Sequence, residues 1–417
     1  MTDTKIAFFI ELKKHRQTIE KCILDNGNPG VGGTQYLFLL TVKYLNKLYG
    51  NGYAVLLSDM DLDIEGEVSI KNVAGEAGAV SYCERNNIGT IVFNANIADR
   101  VCASLFNTDR KIILWAHNTM SMGRQKVAAK TKSIYKVVCV SKSQYENMRD
   151  SECFPKCTYI NNIIPKPFYD NALLTDYSEK KAVYVGSATP QKGIHNLLKI
   201  WKYVEKLVPD AELDVIGGAK IWDPNSRLGC LGVADIYYDI VISRRLRRLK
   251  HPENVHFFGA KGWEEIRNII SSSRLGVVNP SHYMRDETFC MSAIEMQLHG
   301  LSVVSRMRND GIGTTIVNDL NGYLERSDKK IAQKIALLIN DEFLAKEKGL
   351  EARKYSSKFT AENEVTKWRE IAESAEESKK CSNKILPSKD SVLLFHDFIL
   401  KVWYTVVSGK ILKFIRK

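Results

Sequence analysis

Short apolar runs rich in β-branched residues alternate with helix-length amphipathic segments along most of this 417-residue chain. In the first part, the runs that we expect to be buried strands are 5–10, 53–57, 90–93, 111–115 and 136–140. Between them lie helical patterns such as 36–48. Alternation of this kind is typical of a parallel sheet with helices on both faces. The sequence therefore predicts an α/β fold.

The same pattern starts again after the segment 161–167. The strands expected in this second part are 181–185, 212–216, 254–258, 275–278 and 302–305. Two similar α/β domains are the simplest interpretation, one over 1–165 and one over 166–377. The length of the chain agrees with two or three domains.

Charge is concentrated at the end of the chain. The net charge is +12, but residues 378–417 hold nine basic and two acidic groups, so the other 377 residues carry only +5. A basic patch spread over a domain would suggest a nucleic acid partner, whereas this distribution argues against one. We interpret 378–417 as a separate basic tail.

Targeting and redox signals favour a cytoplasmic protein. The apolar run near the start is too short for a signal peptide and is predicted to be the first strand. The nine cysteines are scattered, and the close pair Cys153 and Cys157 has neither redox nor zinc-ligand spacing. We expect reduced thiols.

Ligands of open parallel sheets bind beyond the carboxyl ends of the strands, so the loops there are the places to search for a site. The loop after the first strand contains Gly32 and Gly33 directly ahead of a predicted helix. Glycines let backbone N–H groups approach an anion at a helix N-terminus. A glycine turn that merely enters a helix is the alternative.

The first strand of the second domain leads into the segment 186–193, GSATPQKG, and then into a helix. Lys192 lies where its ammonium can pair with a phosphate held at the start of that helix. A solvated lysine is the alternative.

The strongest signal is the segment 280–300, PSHYMRDETFCMSAIEMQLHG. Glu287 lies at its junction of loop and helix, and Glu295 follows about two helical turns later, on a similar face. Carboxylates near a cleft can accept hydrogen bonds from sugar or ribose hydroxyls. The alternative is a carboxylate at a helix N-terminus together with a surface glutamate.

On these residues the chain resembles the retaining glycosyltransferases of family 4, which have the GT-B fold of two facing Rossmann-like domains. The most specific element is the spacing of Glu287 and Glu295. The resemblance covers most of 1–377, and it is supported by the glycine loops and by the segments 115–118, WAHN, and 138–143, VCVSKS.

The resemblance implies roles for individual residues. It assigns Glu287 to hydroxyls of a donor sugar, Glu295 to the ribose and Lys192 to the diphosphate. It also implies that His117 lies beside the donor sugar, and that the loop of Gly32 and Gly33 lies near the phosphates and the acceptor. Taken alone, His117 could equally be a hydrogen-bonded structural histidine.

One departure from the family concerns the phosphate loop. Members commonly carry an arginine directly after its glycine, and here Ser187 follows Gly186. Arg285 is therefore a candidate for the second basic group. Thr288 and Phe289 complete the expected donor-binding set.

Metal ligands are not evident from the sequence. The segment 59–63, DMDLD, imitates the D-x-D motif of the other large glycosyltransferase fold, but an acidic loop is the simpler interpretation. The eight histidines are dispersed. We expect neither a metal nor another cofactor, since a nucleotide sugar would be a substrate.

The implied reaction is transfer of a sugar, with retention, from a nucleotide-diphosphate sugar to a glycan or lipid-linked glycan. Capsule, O-antigen or exopolysaccharide assembly in a bacterium is the expected setting. Two alternatives share the fold, namely a nucleotide-sugar 2-epimerase and a sugar-binding member without activity.

Two segments lie outside the shared pattern. An insertion over 221–250 ends in a basic helix. Its charges either form a solvated face or contact an anionic acceptor or lipid headgroups. The apolar run of the tail, 392–407, is too short and too charged to span a bilayer. Asp390, Asp397, Lys401 and Ser408 form a narrow polar stripe along the tail, and several aromatic side chains accompany it. We expect residues 386–417 to dock as an amphipathic helix on an anionic membrane, placing the protein peripherally on the inner face of the plasma membrane. Packing on the protein itself is the alternative.

Overall fold

The fold was analysed in a computed structural model. It describes residues 4–64, 67–96, 107–219, 227–282, 287–308 and 310–374. These residues form two compact units. Unit 1 comprises the described residues up to Asn171 together with 358–374, and unit 2 comprises those from Ala172 to Ser357.

Unit 1 is built on a sheet whose described strands are β1 (Ile6–Phe9), β2 (Ala54–Ser58), β3 (Leu62–Ile64), β4 (Val68–Asn72), β5 (Thr90–Asn94), β6 (Lys111–Ala116), β7 (Ile134–Cys139) and β8 (Cys157–Tyr159). Their order is β3-β4-β2-β1-β5-β6-β7-β8. The pairs are parallel except for β3 with β4, which is antiparallel. The order reverses between β1 and β5, and this switch point is where such sheets bind ligands.

Unit 2 has a smaller sheet, whose described strands are β9 (Lys181–Val185), β10 (Glu212–Ile216), β11 (Val255–Gly259), β12 (Leu275–Val278), β13 (Ser302–Arg306) and β14 (Gly322–Glu325). All pairs are parallel in the order β11-β10-β9-β12-β13-β14. This is the Rossmann order, and its switch point lies between β9 and β12.

Helices cover both sheets. Those before the second unit are α1 (Arg16–Ile19), α2 (Gly33–Tyr49), α3 (Gly75–Arg85), α4 (Met122–Lys130), α5 (Lys142–Asn147) and α6 (Lys166–Asp170). Unit 2 contributes α7 (Ile194–Leu207), α8 (Ile236–Leu246), α9 (Trp263–Ile270), α10 (Met291–Leu298), α11 (Ile312–Thr315), α12 (Asp328–Asn340) and α13 (Glu342–Ser356). The last two described helices are α14 (Ala361–Glu364) and α15 (Thr366–Glu373). None of the helices in the described ranges is long and apolar enough to cross a membrane.

The predicted α/β fold with two parallel sheets is confirmed. Each of the ten expected strands is present, within two residues of its expected bounds. Strands such as β9 and β12 are almost wholly buried, which is why they are continuous apolar runs in the sequence. The sequence did not predict β3, β4, β8 and β14, which are short or carry polar residues.

The chain returns to unit 1 after completing unit 2. The sequence assigned 166–377 to the second domain, but 358–374 packs with unit 1. The indole of Trp368 in α15 lies 5.3 Å from the Phe8 ring and 4.8 Å from the Trp115 indole, measured between centroids. The Glu364 carboxylate accepts hydrogen bonds from the Asn161 backbone N–H and side-chain amide, at 3.0 and 3.1 Å. Burial of an aromatic side chain therefore determines where this segment belongs.

Of the two segments outside the shared pattern, only part of the insertion is described. Residues 378–417, the predicted tail, lie outside the described residues, as does 221–226 of the predicted insertion. The predicted basic helix is the end of α8 and the turn after it, with Ile242 and Leu249 buried.

Candidate active site

Three loops of unit 2 follow neighbouring strands at the switch point, namely those after β9, β12 and β13. The first two loops are in close contact. Gly193, which precedes α7, has a φ of +85°, and a Cβ there would lie 2.6 Å from the backbone N of Ser281. Glycine is required at this position by both its conformation and the approach of the second loop.

Glu287 and Lys192 are brought together by these loops. The Lys192 Nζ lies 2.7 Å from Oε2 of Glu287, and the Asn279 side-chain amide donates to the same oxygen at 2.7 Å. Burial disfavours the ammonium, but the Glu287 carboxylate outweighs this effect, and the pKa of Lys192 is raised. The site therefore holds a charged lysine beside an anchored carboxylate.

The backbone of Glu287 is held by the loop after β13. Oδ2 of Asp310 accepts from the Glu287 N–H at 2.9 Å, and Gly311 N donates to the Glu287 carbonyl at 2.5 Å. A Cβ on Gly311 would lie 2.0 Å from the Thr288 carbonyl oxygen, so only glycine allows this approach. Burial raises the pKa of Asp310 to about 6. Sequence reasoning missed this positioning residue, whose one signal was an Asp-Gly pair shortly after a predicted strand.

Arg308 is a second cation of this site that the sequence did not indicate. Its guanidinium donates to the Asn279 carbonyl at 3.1 Å and also to the carbonyl of Ser281. Burial is the largest influence on the pKa values of Lys192 and Asp310, and the charge of Arg308 lowers both. The guanidinium is thus within electrostatic reach of Lys192. Arg285, the candidate from the sequence, lies outside the described residues.

The expected helical relation between Glu287 and Glu295 is not present. Helix α10 begins at Met291, so Glu287 lies in the preceding loop and the expected spacing of two helical turns does not relate the two carboxylates. Glu295 is partly buried, and among the described residues none forms a hydrogen bond or an ion pair with it. Burial raises the pKa of Glu295 to about 7.

The other predicted donor-binding residues of unit 2 lie in the same loops. Thr288 and Phe289 are buried directly after Glu287. Gly186 follows β9, and a Cβ on neighbouring Gly217 would lie 1.8 Å from its carbonyl oxygen. Ser187 is buried, and because its side chain is uncharged this position supplies no cation.

The glycine loop of unit 1 lies at a helix N-terminus, as expected. Gly32 is the N-cap of α2 and Gly33 its first residue. Oδ1 of Asn28 accepts from the N–H groups of Gly30 and Val31, each at 3.0 Å, which fixes the loop ahead of the helix. A Cβ on Gly33 would meet nothing within 4 Å.

His117 follows β6 and is buried. Burial lowers its pKa to about 3, so the imidazole is neutral near pH 7. Gln144 fixes the backbone on both sides of it, because its amide donates to the carbonyls of Ala116 and Asn118 at 2.8 and 3.3 Å. Its Oε1 accepts from the N–H of Val140 at 2.7 Å. Sequence reasoning missed Gln144, although it directly follows the segment 138–143.

A pocket of about 300 Å³ lies at the switch point of unit 1, between the ends of β1 and β5. Asp59 borders it, and its Oδ1 accepts from the N–H groups of Leu12 and Lys13 at 2.8 and 2.9 Å. Burial opposes ionisation, but these hydrogen bonds outweigh it and the pKa of Asp59 is lowered. In the parts of the chain that are described, no group of three or more potential ligands could hold a metal ion.

Comparison with known families gives a match to one model. Residues 165–358, which contain the three loops of unit 2, match the family of Glycosyl transferases group 1. The chain is 26% identical over 240 residues to an uncharacterized glycosyltransferase of Methanocaldococcus jannaschii, covering 57% of this chain and 59% of that protein.

A second curated relative is the poly(glycerol-phosphate) alpha-glucosyltransferase of Bacillus subtilis, 24% identical over 229 residues. This match covers 53% of this chain and 30% of the relative. The chain thus spans less than two thirds of the length of either curated protein.

Solved structures identify the fold as GT-B. Anabaena HepE in complex with UDP superposes with a TM-score of 0.64 at 15% identity, over 88% of this chain and 99% of that one. HepE has also been solved with UDP-glucose. Sucrose-phosphate synthase from Thermosynechococcus elongatus gives a TM-score of 0.66 at 15% identity, over 88% and 98% of the two chains.

Proposed function

We propose that the chain is a retaining glycosyltransferase that moves a sugar from a nucleoside-diphosphate sugar to an acceptor hydroxyl. The observation that carries the proposal is the contact of Lys192 with Glu287 at the switch point of unit 2, inside the region that matches the Glycosyl transferases group 1 model. The complexes of HepE with UDP and UDP-glucose support a donor of this class.

Two cations would neutralise the diphosphate in this proposal. Lys192 stays protonated because its pKa is raised, and Arg308 is within electrostatic reach of it. Arg285 would add a third cation. Charge-assisted hydrogen bonds to phosphate are among the stronger polar contacts in proteins.

The two carboxylates would bind hydroxyls. Glu287 is held by Asn279 and, through its backbone, by Asp310, so it is preorganised to accept hydrogen bonds from the donor sugar. Glu295, which has no partner among the described residues, would receive the ribose. Neutral His117 would offer the sugar a hydrogen bond without adding charge.

In the proposed step, the bond from the sugar C1 to the diphosphate oxygen breaks while a bond from C1 to the acceptor oxygen forms on the same face. The acceptor proton passes to an oxygen of the leaving diphosphate. The main contribution of the protein is electrostatic stabilisation of that leaving group.

Product analysis tests this function. The protein is incubated with UDP-glucose or another nucleotide sugar and a glycan acceptor, and the products are followed by NMR. We expect release of the nucleoside diphosphate and a glycoside with the donor's anomeric configuration. A nucleotide sugar converted without release of nucleoside diphosphate would indicate the epimerase instead, and inversion would exclude the retaining mechanism.

The proposed acceptor is a lipid-linked glycan of capsule, O-antigen or exopolysaccharide assembly, reached from the cytoplasm at the inner face of the plasma membrane. The B. subtilis relative, named for poly(glycerol-phosphate), supports a polymeric acceptor. The basic, aromatic tail over 386–417 would hold the enzyme on the membrane.

Deletion of 386–417 tests whether the tail holds the enzyme on the membrane. The truncated enzyme should turn over a water-soluble acceptor analogue normally but work poorly on acceptor embedded in vesicles. Loss of activity on every acceptor would show instead that the tail is part of the fold. Vesicle flotation of both forms provides the matching binding measurement.

A further inference from the structure

We propose that the outward face of α8 is a membrane contact that inserts apolar side chains into the interface of an anionic bilayer. This goes beyond the proposed reaction and does not depend on it. It also involves a different segment from the tail, since α8 lies in unit 2.

The first observation is an exposed apolar face. Ile236, Tyr237, Ile240 and Val241 are 45%, 72%, 43% and 41% exposed. Their spacing of one, four and five residues places them on one side of the helix. The opposite side is anchored in unit 2, where Tyr238 and Ile242 are buried.

The second observation is positive charge at the C-terminal end of the same helix. Arg244 follows Ile240 by one helical turn, and Arg247 and Arg248 are exposed immediately beyond the end of the helix. No carboxylate in the described parts of the chain forms an ion pair with these three guanidinium groups. Asp239 on the same helix is buried and accepts from the Leu231 N–H at 3.1 Å.

Comparison with another exposed apolar surface shows why a bilayer fits. Leu207, Leu337 and Phe343 are also exposed on unit 2, at 51%, 40% and 88%. The cations beside them are paired, Lys180 with Asp210 at 2.8 Å and Arg274 with Glu342 at 3.1 Å. The face of α8 instead combines apolar side chains with arginines that no described carboxylate neutralises.

Apolar side chains beside arginines, as on α8, match a lipid surface better than a soluble polyanion. A soluble polyanion would pair with the arginines and leave four apolar side chains in water. An anionic bilayer accepts both, because the apolar groups enter the interface while the guanidinium groups meet lipid phosphates.

The experiment measures insertion of α8 into vesicle membranes, with the full chain. To direct labelling to one thiol, serine replaces the four cysteines that are not shown to be buried, namely Cys22, Cys102, Cys230 and Cys381. A single nitrobenzoxadiazole label is then attached through Ile240→Cys. The matched control carries the label through Phe343→Cys. Each protein is mixed with vesicles of phosphatidylglycerol and phosphatidylcholine in equal parts, and with phosphatidylcholine alone.

Label emission should rise at position 240 with the anionic vesicles, while position 343 stays unchanged. Reversing Arg244, Arg247 and Arg248 to Glu should weaken the vesicle affinity reported at position 240 by at least about tenfold. Reversing the exposed Lys329, Lys330 and Lys346 to Glu is the matched charge control, and it should have a much smaller effect. No rise at 240, or an equal rise at 240 and 343, would overturn the proposal.

Discussion

At the scale of single residues, Glu287 is held both through its side chain and through its backbone. One carboxylate oxygen is shared by Lys192 and Asn279, while the backbone is held by Asp310. Among the described residues, the other oxygen has no such fixed pair of donors, and it is the one that we expect a donor hydroxyl to use. The charge matters as much as the position, because it also keeps Lys192 protonated.

Glu287→Gln keeps the side-chain shape and removes the charge. A hydrogen bond to a charged group contributes roughly 1.5 to 3 kcal/mol, so kcat/KM should fall by at least about tenfold. Glu347→Gln, on an exposed position of unit 2, is the control and should change little. Steady-state kinetics measure the effect, and thermal unfolding checks that the variant is folded. Unchanged kcat/KM would remove Glu287 from the site.

Glu295 should make stability depend on pH. Its folded-state pKa of about 7 lies above the ordinary value of 4.5, so the folded protein holds the proton more tightly than the unfolded chain. The stability of the wild type relative to Glu295→Gln should therefore be greatest below about pH 4.5 and fall as the pH rises to about 7. The total change should stay below about 3 kcal/mol, because the side chain is only partly buried.

Urea unfolding of both proteins at several pH values measures this difference, and the remaining titrating groups cancel in the comparison. A difference that does not vary between pH 5 and pH 8 would show that this carboxyl is as well solvated in the folded protein as in the unfolded chain.

At the scale of elements, α15 shows how one helix can complete a unit distant in sequence. Trp368 is only 1% exposed and packs against the rings of Phe8 and Trp115. Removal of a large buried aromatic side chain typically costs 3 to 5 kcal/mol. The helix is therefore a structural part of unit 1.

Trp368→Ala should accordingly lower the free energy of unfolding of unit 1 by about 3 to 5 kcal/mol, while unit 2 keeps its stability. Hydrogen exchange followed by mass spectrometry distinguishes the units. Phe343→Ala, at an 88% exposed position, is the control and should change stability by less than about 0.5 kcal/mol. Faster exchange confined to unit 2 in the Trp368 variant would contradict the assignment.

At the scale of the whole molecule, neutralisation of the diphosphate is proposed to come from protein cations. Lys192 and Arg308 lie in unit 2, whereas the acidic segment of unit 1 has another use, since Asp59 binds the backbone of Leu12 and Lys13. A metal ion is therefore not needed in the proposed mechanism.

Treatment with a chelator should leave kcat/KM unchanged within about twofold, because no transition-state stabilisation of more than a fraction of 1 kcal/mol would be lost. A manganese-dependent glycosyltransferase treated in parallel is the control for complete chelation. Activity that disappears with the chelator and returns with manganese would contradict the mechanism and restore the segment 59–63 as a metal site.

Much of the fold and part of the site could be predicted from the sequence because their signals are local. Strands buried on both faces are continuous apolar runs, and glycine loops follow them at the positions where parallel sheets bind ligands. Lys192 and Glu287 could be singled out in this way, each from its own loop. Their direct contact at 2.7 Å required the pairing of β9 with β12, which no local pattern encodes.

The remaining features depend on partners far away in the sequence. Asp310, Arg308 and Gln144 are ordinary polar residues until neighbouring strands bring them to the backbone that they hold. The sequence analysis placed α15 with the second domain, and only packing determined which core receives Trp368. The sequence by itself thus determined the two sheets and the loops that bear the candidate site. Tertiary structure decided how those loops are held and which apolar side chains of α8 stay in solvent, because burial is a property of the assembled fold and not of the local chain.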